Sequence, residues 1–206
     1  MMALEDEVWS MRLIIFGGSG FVGQAIICAA RKRQIDVISI SRRGRPKGNL
    51  LEKEDILWVS ADVFQPETWV KYIQKGDVIL DAIGIFFQQS KKGITYKRMH
   101  FDAANIIAQK AKEYGASYFI YISAAHGIPF FKGYIEWKQR AENSIQKIMG
   151  NTLIFQPSLL YSQHHQYAMA KGILIAKKIP GLQYLVKKIE PMDVEVFANR
   201  VLKKIN

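Results

Sequence analysis

A chain that runs from Leu13-Ile14-Ile15-Phe16 straight into Gly17-Gly18-Ser19-Gly20-Phe21-Val22-Gly23 has few folds open to it. The apolar run reads as a buried strand, and residues 24–33 read as a helix that starts at once. Gly17 suits the tight turn out of the strand. Gly20 leaves out a side chain where the backbone must approach phosphates, and Gly23 lets the helix lie close. The helix N-terminus adds free N–H groups and a partial positive charge. Together these form the strand–turn–helix that cradles a dinucleotide pyrophosphate. The plainer reading is an ordinary turn between a strand and a helix.

The rest of the chain repeats the same alternation. Strands are expected at 36–40, 56–59, 77–80, 118–122 and 152–155. Helices are expected at 66–74, 96–114 and 134–149, with Gly115 and Gly150 as stops. Near-continuous apolar strands separated by helices make an α/β protein with a parallel sheet covered on both faces. A length of 206 residues suits one domain, with 157–206 as a small closing lobe rather than a separate substrate domain. In that lobe, 167–178 and 182–189 are apolar with interspersed lysines and are expected to close the substrate pocket, and 192–205 reads as a closing helix.

Charge and cysteine content narrow the function classes. The net charge is +11, yet the basic residues are scattered and carry no nucleic-acid-binding signature, so no nucleic-acid partner is expected. A single cysteine, Cys28, excludes an internal disulfide and suits a reducing compartment. His126, His164 and His165 lack ligand spacing, so no metal is expected. The acidic residues 1–10 carry no secretory signal and read as a flexible extension. No run reaches the length of a membrane span. A cytoplasmic protein is expected. The alternative is peripheral attachment to the inner face of a bacterial or mitochondrial inner membrane, with 167–189 lying on its surface.

Three clusters extend the cofactor reading. At the end of the second strand, Ser41-Arg42-Arg43 occupies the place where NAD sites carry a ribose-binding carboxylate. Two guanidiniums there favour a 2′-phosphate, hence NADP, with NAD as the alternative. Asp62 is placed to accept from an adenine amino group while Val63 packs on the ring. Ala82-Ile83-Gly84 puts small residues where the backbone passes the cofactor. A second sharp feature is Tyr134 and Lys138, four apart on one helix face. An ammonium beside a phenol lowers its pKa, and such a phenol can exchange a proton with a carbinol during hydride transfer.

These motifs resemble the short-chain dehydrogenase/reductase superfamily, in its extended and atypical branches, over residues 11–161. The likeness also rests on Met99-His100-Phe101-Asp102-Ala103-Ala104-Asn105, on 111–123, and on Gln156-Pro157-Ser158-Leu159-Leu160-Tyr161. The nearest group looks like the accessory nucleotide-binding subunit of complex I and small epimerase-like reductases. The resemblance implies a Rossmann-type, doubly wound sheet with a reduced C-terminal substrate lobe. It implies Tyr134 as acid/base, Lys138 on the nicotinamide ribose, a serine after the fifth strand, and Pro157 near the cofactor. Aligned on the family's serine run, that serine falls on Ala124, and Ser123 sits one position early, where alternation turns it away from substrate. His100 stands where many members carry asparagine. The implied function is an NAD(P)-dependent oxidoreductase or epimerase-like enzyme acting on a carbonyl, sugar nucleotide or quinone-like substrate. The alternative is a non-catalytic NAD(P)H-binding sensor or assembly factor for a membrane respiratory or quinone-related complex.

Overall fold

Every apolar run anticipated as a strand enters one sheet. The computed structural model describes residues 11–47, 51, 56–126 and 131–205. The expected extension at 1–10, the far end of the basic loop at 48–49, and Gly127 lie outside the described residues. Strands β1 (Arg12–Phe16), β2 (Asp36–Ser41), β3 (Leu57–Ser60), β4 (Val78–Asp81), β5 (Tyr118–Ile122) and β6 (Thr152–Phe155) form a parallel sheet in the order β3-β2-β1-β4-β5-β6. The order reverses between β1 and β4, and ligands of open α/β sheets bind outside the carboxyl ends of the strands at such a point.

Each sheet face buries its own apolar set. Leu13, Ile15, Leu80, Ile120 and Ile122 point toward helices α1 (Phe21–Arg31) and α6 (Val194–Leu202). Ile14, Phe16, Ile79, Phe119 and Tyr121 point toward α2 (Ala103–Glu113) and α3 (Lys132–Met149). The period of two along each strand sorts the two sets. Arg12 ties the start of β1 to Asp77, with Nε and Nη2 donating to the two carboxylate oxygens at 2.9 and 2.8 Å.

Local structure departs from expectation in three places. The helix expected at 66–74 is two short 3₁₀ turns, Pro66–Thr68 and Val70–Tyr72. Trp69 breaks it, because its ring is buried edge-on to Phe16 and its Nε1 donates to Val63 O at 3.3 Å. The helix expected from 96 opens with a wide π-type segment, Lys97–Asp102, in which both Met99 and His100 are buried. The closing helix starts two residues late. Pro191–Asp193 (β8) instead pairs in parallel with Leu159–Tyr161 (β7), and the Asp193 carboxylate caps α6 by accepting from Glu195 N and Val196 N. Helices α4 (Tyr167–Ala176) and α5 (Leu182–Val186) connect these two strands.

Candidate functional site

The loop after β1 is shaped by close backbone approach. Gly17 has φ +83°, and a Cβ there would lie 2.9 Å from the Ala82 carbonyl carbon. Gly17 N donates to Ile40 O, and Gly20 N donates back to Gly17 O, both at 2.9 Å. A Cβ at Gly23 would lie 2.4 Å from Gly17 O, so the first turn of α1 rests directly on the loop. The N-terminal amides of this eleven-residue helix therefore face the carboxyl edge of the sheet at the switch point.

A cavity of about 870 Å³ opens there. Gly17, Ser19 and Gly20 form one wall. Ser41, Arg42, Arg43, Asp62 and Val63 form another, and Ala82, Ile83 and Gly84 a third. The Arg42-Arg43 pair sits on a tight turn in which Gly44 N donates to Ser41 O at 3.1 Å and Ser60 Oγ donates to Arg42 O at 3.0 Å. Asp62 Oδ1 accepts from Phe64 N at 3.1 Å, which fixes the turn after β3. Lys92 and Arg98 also line the cavity, and the Arg98 guanidinium lies 4.0 Å from the Phe64 ring centroid. Neither was singled out from sequence. Lys92 comes from the irregular stretch after β4, and Arg98 from the opening turn of the helix expected at 96–114, where a lone cation reads as a solvated face. Against these cations, Asp62 is the one carboxylate among the described residues of the cavity wall. The glycine cradle, free helix amides and cationic rim fit a dinucleotide.

The other expected cofactor residues lie outside the cavity wall. Gly18 and Gly23 are buried against β2 and the loop. Val22 packs on the core, and the Phe21 ring lies 4.2 Å from that of His165. Pro157 O accepts from Ala125 N at 3.0 Å, joining the segments that follow β5 and β6.

Tyr134 and Lys138 share a face of α3 but do not pair as expected. The Lys138 ammonium is buried and donates to Ile122 O at 2.6 Å, 4.6 Å from the Tyr121 ring centroid. Burial lowers its pKa to about 8, opposed by the charges of Asp81 and Glu142. Tyr134 instead lies among rings, 5.0 Å from His100, 5.7 Å from Tyr96 and 5.8 Å from Phe86. Burial raises its pKa to about 12, with Tyr96 adding to the rise. The expected lowering of the phenol pKa is therefore corrected. The ammonium is held by a strand carbonyl, and removing the phenol from water raises its pKa.

Ser123 points toward α3, but its hydroxyl donates to Glu142 Oε1, one turn beyond Lys138. His126 Nε2 lies 3.1 Å from the same oxygen, and Gln156 Nε2 donates to Glu142 Oε2 at 2.9 Å. Glu142 was missed because a carboxylate in a charged helix reads as a solvated face. Asp81 was missed as the last residue of an apolar strand. It is buried, Oδ1 accepts from Ile83 N at 2.8 Å, and Oδ2 has no partner. Burial raises its pKa to about 6 against the pull of Lys138. His100 is also buried, with Nε2 3.1 Å from Ile85 O, and burial lowers its pKa to about 2. Gly84 separates it from the cavity, since a Cβ there would lie 3.5 Å from His100 Cε1.

A family signature described as NAD(P)H-binding matches residues 17–176. An uncharacterized chloroplastic protein of Arabidopsis thaliana is 30% identical over 193 residues, covering 91% of this chain and 59% of the relative. The mitochondrial 40 kDa subunit of NADH-ubiquinone oxidoreductase of Neurospora crassa is 22% identical, covering 87% of this chain and 49% of the subunit. The chain thus spans only about half to three-fifths of either relative. In fold it is similar to the UDP-glucuronic acid 4-epimerase of Bacillus cereus, solved with NAD. The TM-score is 0.70 at 15% identity, covering 95% of this chain and 72% of the epimerase.

Proposed function

The chain belongs to the NAD(P)H-binding family, and from that premise we propose that it is an NAD(P)-dependent oxidoreductase of the atypical short-chain dehydrogenase/reductase kind. The observation that carries this reading is the 870 Å³ cavity at the strand-order reversal, walled by the glycine loop, the Arg42-Arg43 turn and the Asp62-Val63 turn. Gly17, Ser19, Gly20 and the α1 amides would hold the pyrophosphate. Arg42 and Arg43 would favour the 2′-phosphate of NADP, with Ser41 shaping their turn. Asp62 and Val63 would meet the adenine, and Ala82, Ile83 and Gly84 would flank the path to the nicotinamide. When bound, the reduced cofactor supplies hydride to a carbonyl carbon.

Tyr134 is the proton donor in this reading. With a pKa of about 12 the phenol is protonated at neutral pH. It starts as a proton donor to a carbonyl oxygen, although the raised pKa makes it a weaker acid than a free phenol. Lys138 and Ser123 would orient the site from behind, through Ile122 O and Glu142. The substrate class follows the resemblance: a carbonyl compound, sugar nucleotide or quinone. Cys28, alone in the sequence, suits a reducing compartment such as the cytoplasm.

A second reading, a nucleotide-binding protein without catalysis, draws on one feature. Tyr134, Lys138 and Ser123 all lie outside the cavity wall, and the last two are committed to protein partners. Turnover separates the two readings. The purified protein with NADPH and a panel of carbonyls and quinones should oxidise the cofactor, and Tyr134→Phe should abolish this while leaving NADPH affinity within about twofold. Cofactor binding without turnover on any panel member selects the second reading.

A further inference from the structure

Helix α4 has the composition of a core helix and the exposure of a surface one. Its sequence, YAMAKGILIA, has one buried residue, Ala170, and the helix packs near the β7–β8 pair. Met169, Leu174 and Ile175 are exposed, and so are Ile179, Leu182 and Tyr184 in and around α5. Tyr184 is 75% exposed and Ile175 57%, far above what scattered surface apolar residues on a folded domain require. A helix apolar on nearly all sides needs an apolar environment around it. The cavity does not supply one, because no described residue of α4 or α5 lines it.

Charge identifies the occupant. Residues 143–189 contain no aspartate or glutamate, while Lys171, Lys177, Lys178, Lys187 and Lys188 fall within 167–189. Spacing puts Lys171 on the same side of α4 as Tyr167 and Leu174, and Lys177 and Lys178 follow at the end of the helix. Their stems can lie along the apolar surface with the ammonium heads raised to a polar boundary. Between α4 and α5, Lys177, Gln183, Tyr184 and Lys187 line a recess of about 350 Å³. Two ammonium groups and a phenol around an open recess of that size suit a phosphodiester. No helix among the described residues is long and apolar enough to cross a bilayer, so the segment would lie on one.

We propose that α4 and α5 form an in-plane docking surface for a bilayer of anionic phospholipid, with Leu174, Ile175, Ile179 and Leu182 entering the acyl boundary and a headgroup phosphate seated between Lys177 and Lys187. This surface acts independently of the cofactor cavity, so it stands whether or not the chain turns over substrate.

The test is co-sedimentation of the full chain with vesicles of phosphatidylcholine alone and of equal parts phosphatidylcholine and phosphatidylglycerol. The chain should pellet with the mixed vesicles only, and half-molar salt should weaken binding. Lys177→Gln with Lys187→Gln should lower the partition coefficient by roughly twenty-five-fold, about fivefold for each lysine near an anionic surface. Leu174→Glu with Ile175→Glu should abolish pelleting while the melting temperature stays within a few degrees. The proposal is overturned if the chain ignores both vesicle types or binds both equally. It is also overturned if inorganic phosphate at millimolar concentration releases the chain from the mixed vesicles, since the recess would then be a site for free anion. A dimer in light scattering that Leu174→Glu converts to monomer overturns it as well, because a second copy would then cover the face.

Discussion

Gly23→Ala tests whether the loop geometry, rather than glycine content, makes the cofactor site. The added methyl would sit 2.4 Å from Gly17 O and 2.6 Å from Gly18 Cα, both backbone atoms that no side-chain rotation can move aside. The loop must shift by roughly an ångström, and overpacking of this kind costs about 1–3 kcal/mol. The Gly20 N–Gly17 O bond of 2.9 Å would be stretched by the same movement, adding about 1 kcal/mol. Alanine returns up to about 1 kcal/mol of helix propensity. The net expectation is a loss of about 1–3 kcal/mol in urea unfolding. Binding should suffer as well. The amides that would face the pyrophosphate are carried on the displaced loop, and losing one such charge-assisted bond weakens NADPH by at least about tenfold. Gly172→Ala is the matched control, since nothing lies within 4 Å of its added methyl and it sits inside α4. It should leave cofactor binding unchanged and gain up to about 1 kcal/mol. Titration calorimetry and urea unfolding of the three proteins decide the matter. A Gly23→Ala protein with wild-type stability and wild-type affinity refutes the argument.

Arg42→Asp should weaken NADPH by at least about tenfold while NADH changes little or improves. Equal losses for both cofactors would mean that Arg42 only supports the turn, and a wild type that prefers NADH rejects the NADP reading. His100, whose pKa falls to about 2 on burial, contributes stability that is present above its unfolded value near 6.5 and is lost as pH drops toward 2. His100→Gln should therefore lose less stability than wild type between pH 6.5 and 4, by about 1.4 kcal/mol per unit at the limit, and parallel unfolding curves would contradict the buried neutral imidazole. Asp77→Ala leaves the Arg12 guanidinium, now paired with both carboxylate oxygens, without its partner. It should cost about 3 kcal/mol in urea unfolding, and a loss under 0.5 kcal/mol would show that water replaces the pair at the amino-terminal end of the central strands.

The sheet was legible because its signals are local. Residues 13–16 and 78–80 are unbroken apolar runs, and the glycines after Phe16 admit few turns. The cavity wall at Ser41 to Arg43, Asp62 to Val63 and Ala82 to Gly84 followed from where each strand ends, since carboxyl ends of parallel strands share one edge. Trp69 was not legible as a helix breaker, because its effect depends on Phe16, far away in sequence. Strands β7 and β8 were hidden for the same reason. Each has three residues, too few to show a period of two, and they pair only because α4 and α5 bring their ends together.

The gap at Lys138 has a deeper cause. Spacing alone says that Tyr134 and Lys138 share a helix face, but it cannot say which neighbour wins the ammonium. The sheet decides that. Asp81 and Tyr121 stand side by side in adjacent strands with their side chains toward α3. Glu142 follows Lys138 by one turn, also buried. The ammonium thus enters a pocket with two buried carboxylates and a strand carbonyl, which together oppose the loss of its hydration. A lone buried ammonium would shed its proton. Here the carboxylates hold the pKa at about 8, so the charge persists at neutral pH. Asp81→Asn removes the larger of these supports while its remaining carbonyl oxygen can still accept from Ile83 N. The Lys138 pKa should then fall further. In ¹⁵N-lysine spectra its titration should move to lower pH in the variant, and an unmoved midpoint would show that Glu142 and Ile122 O suffice to hold the charge.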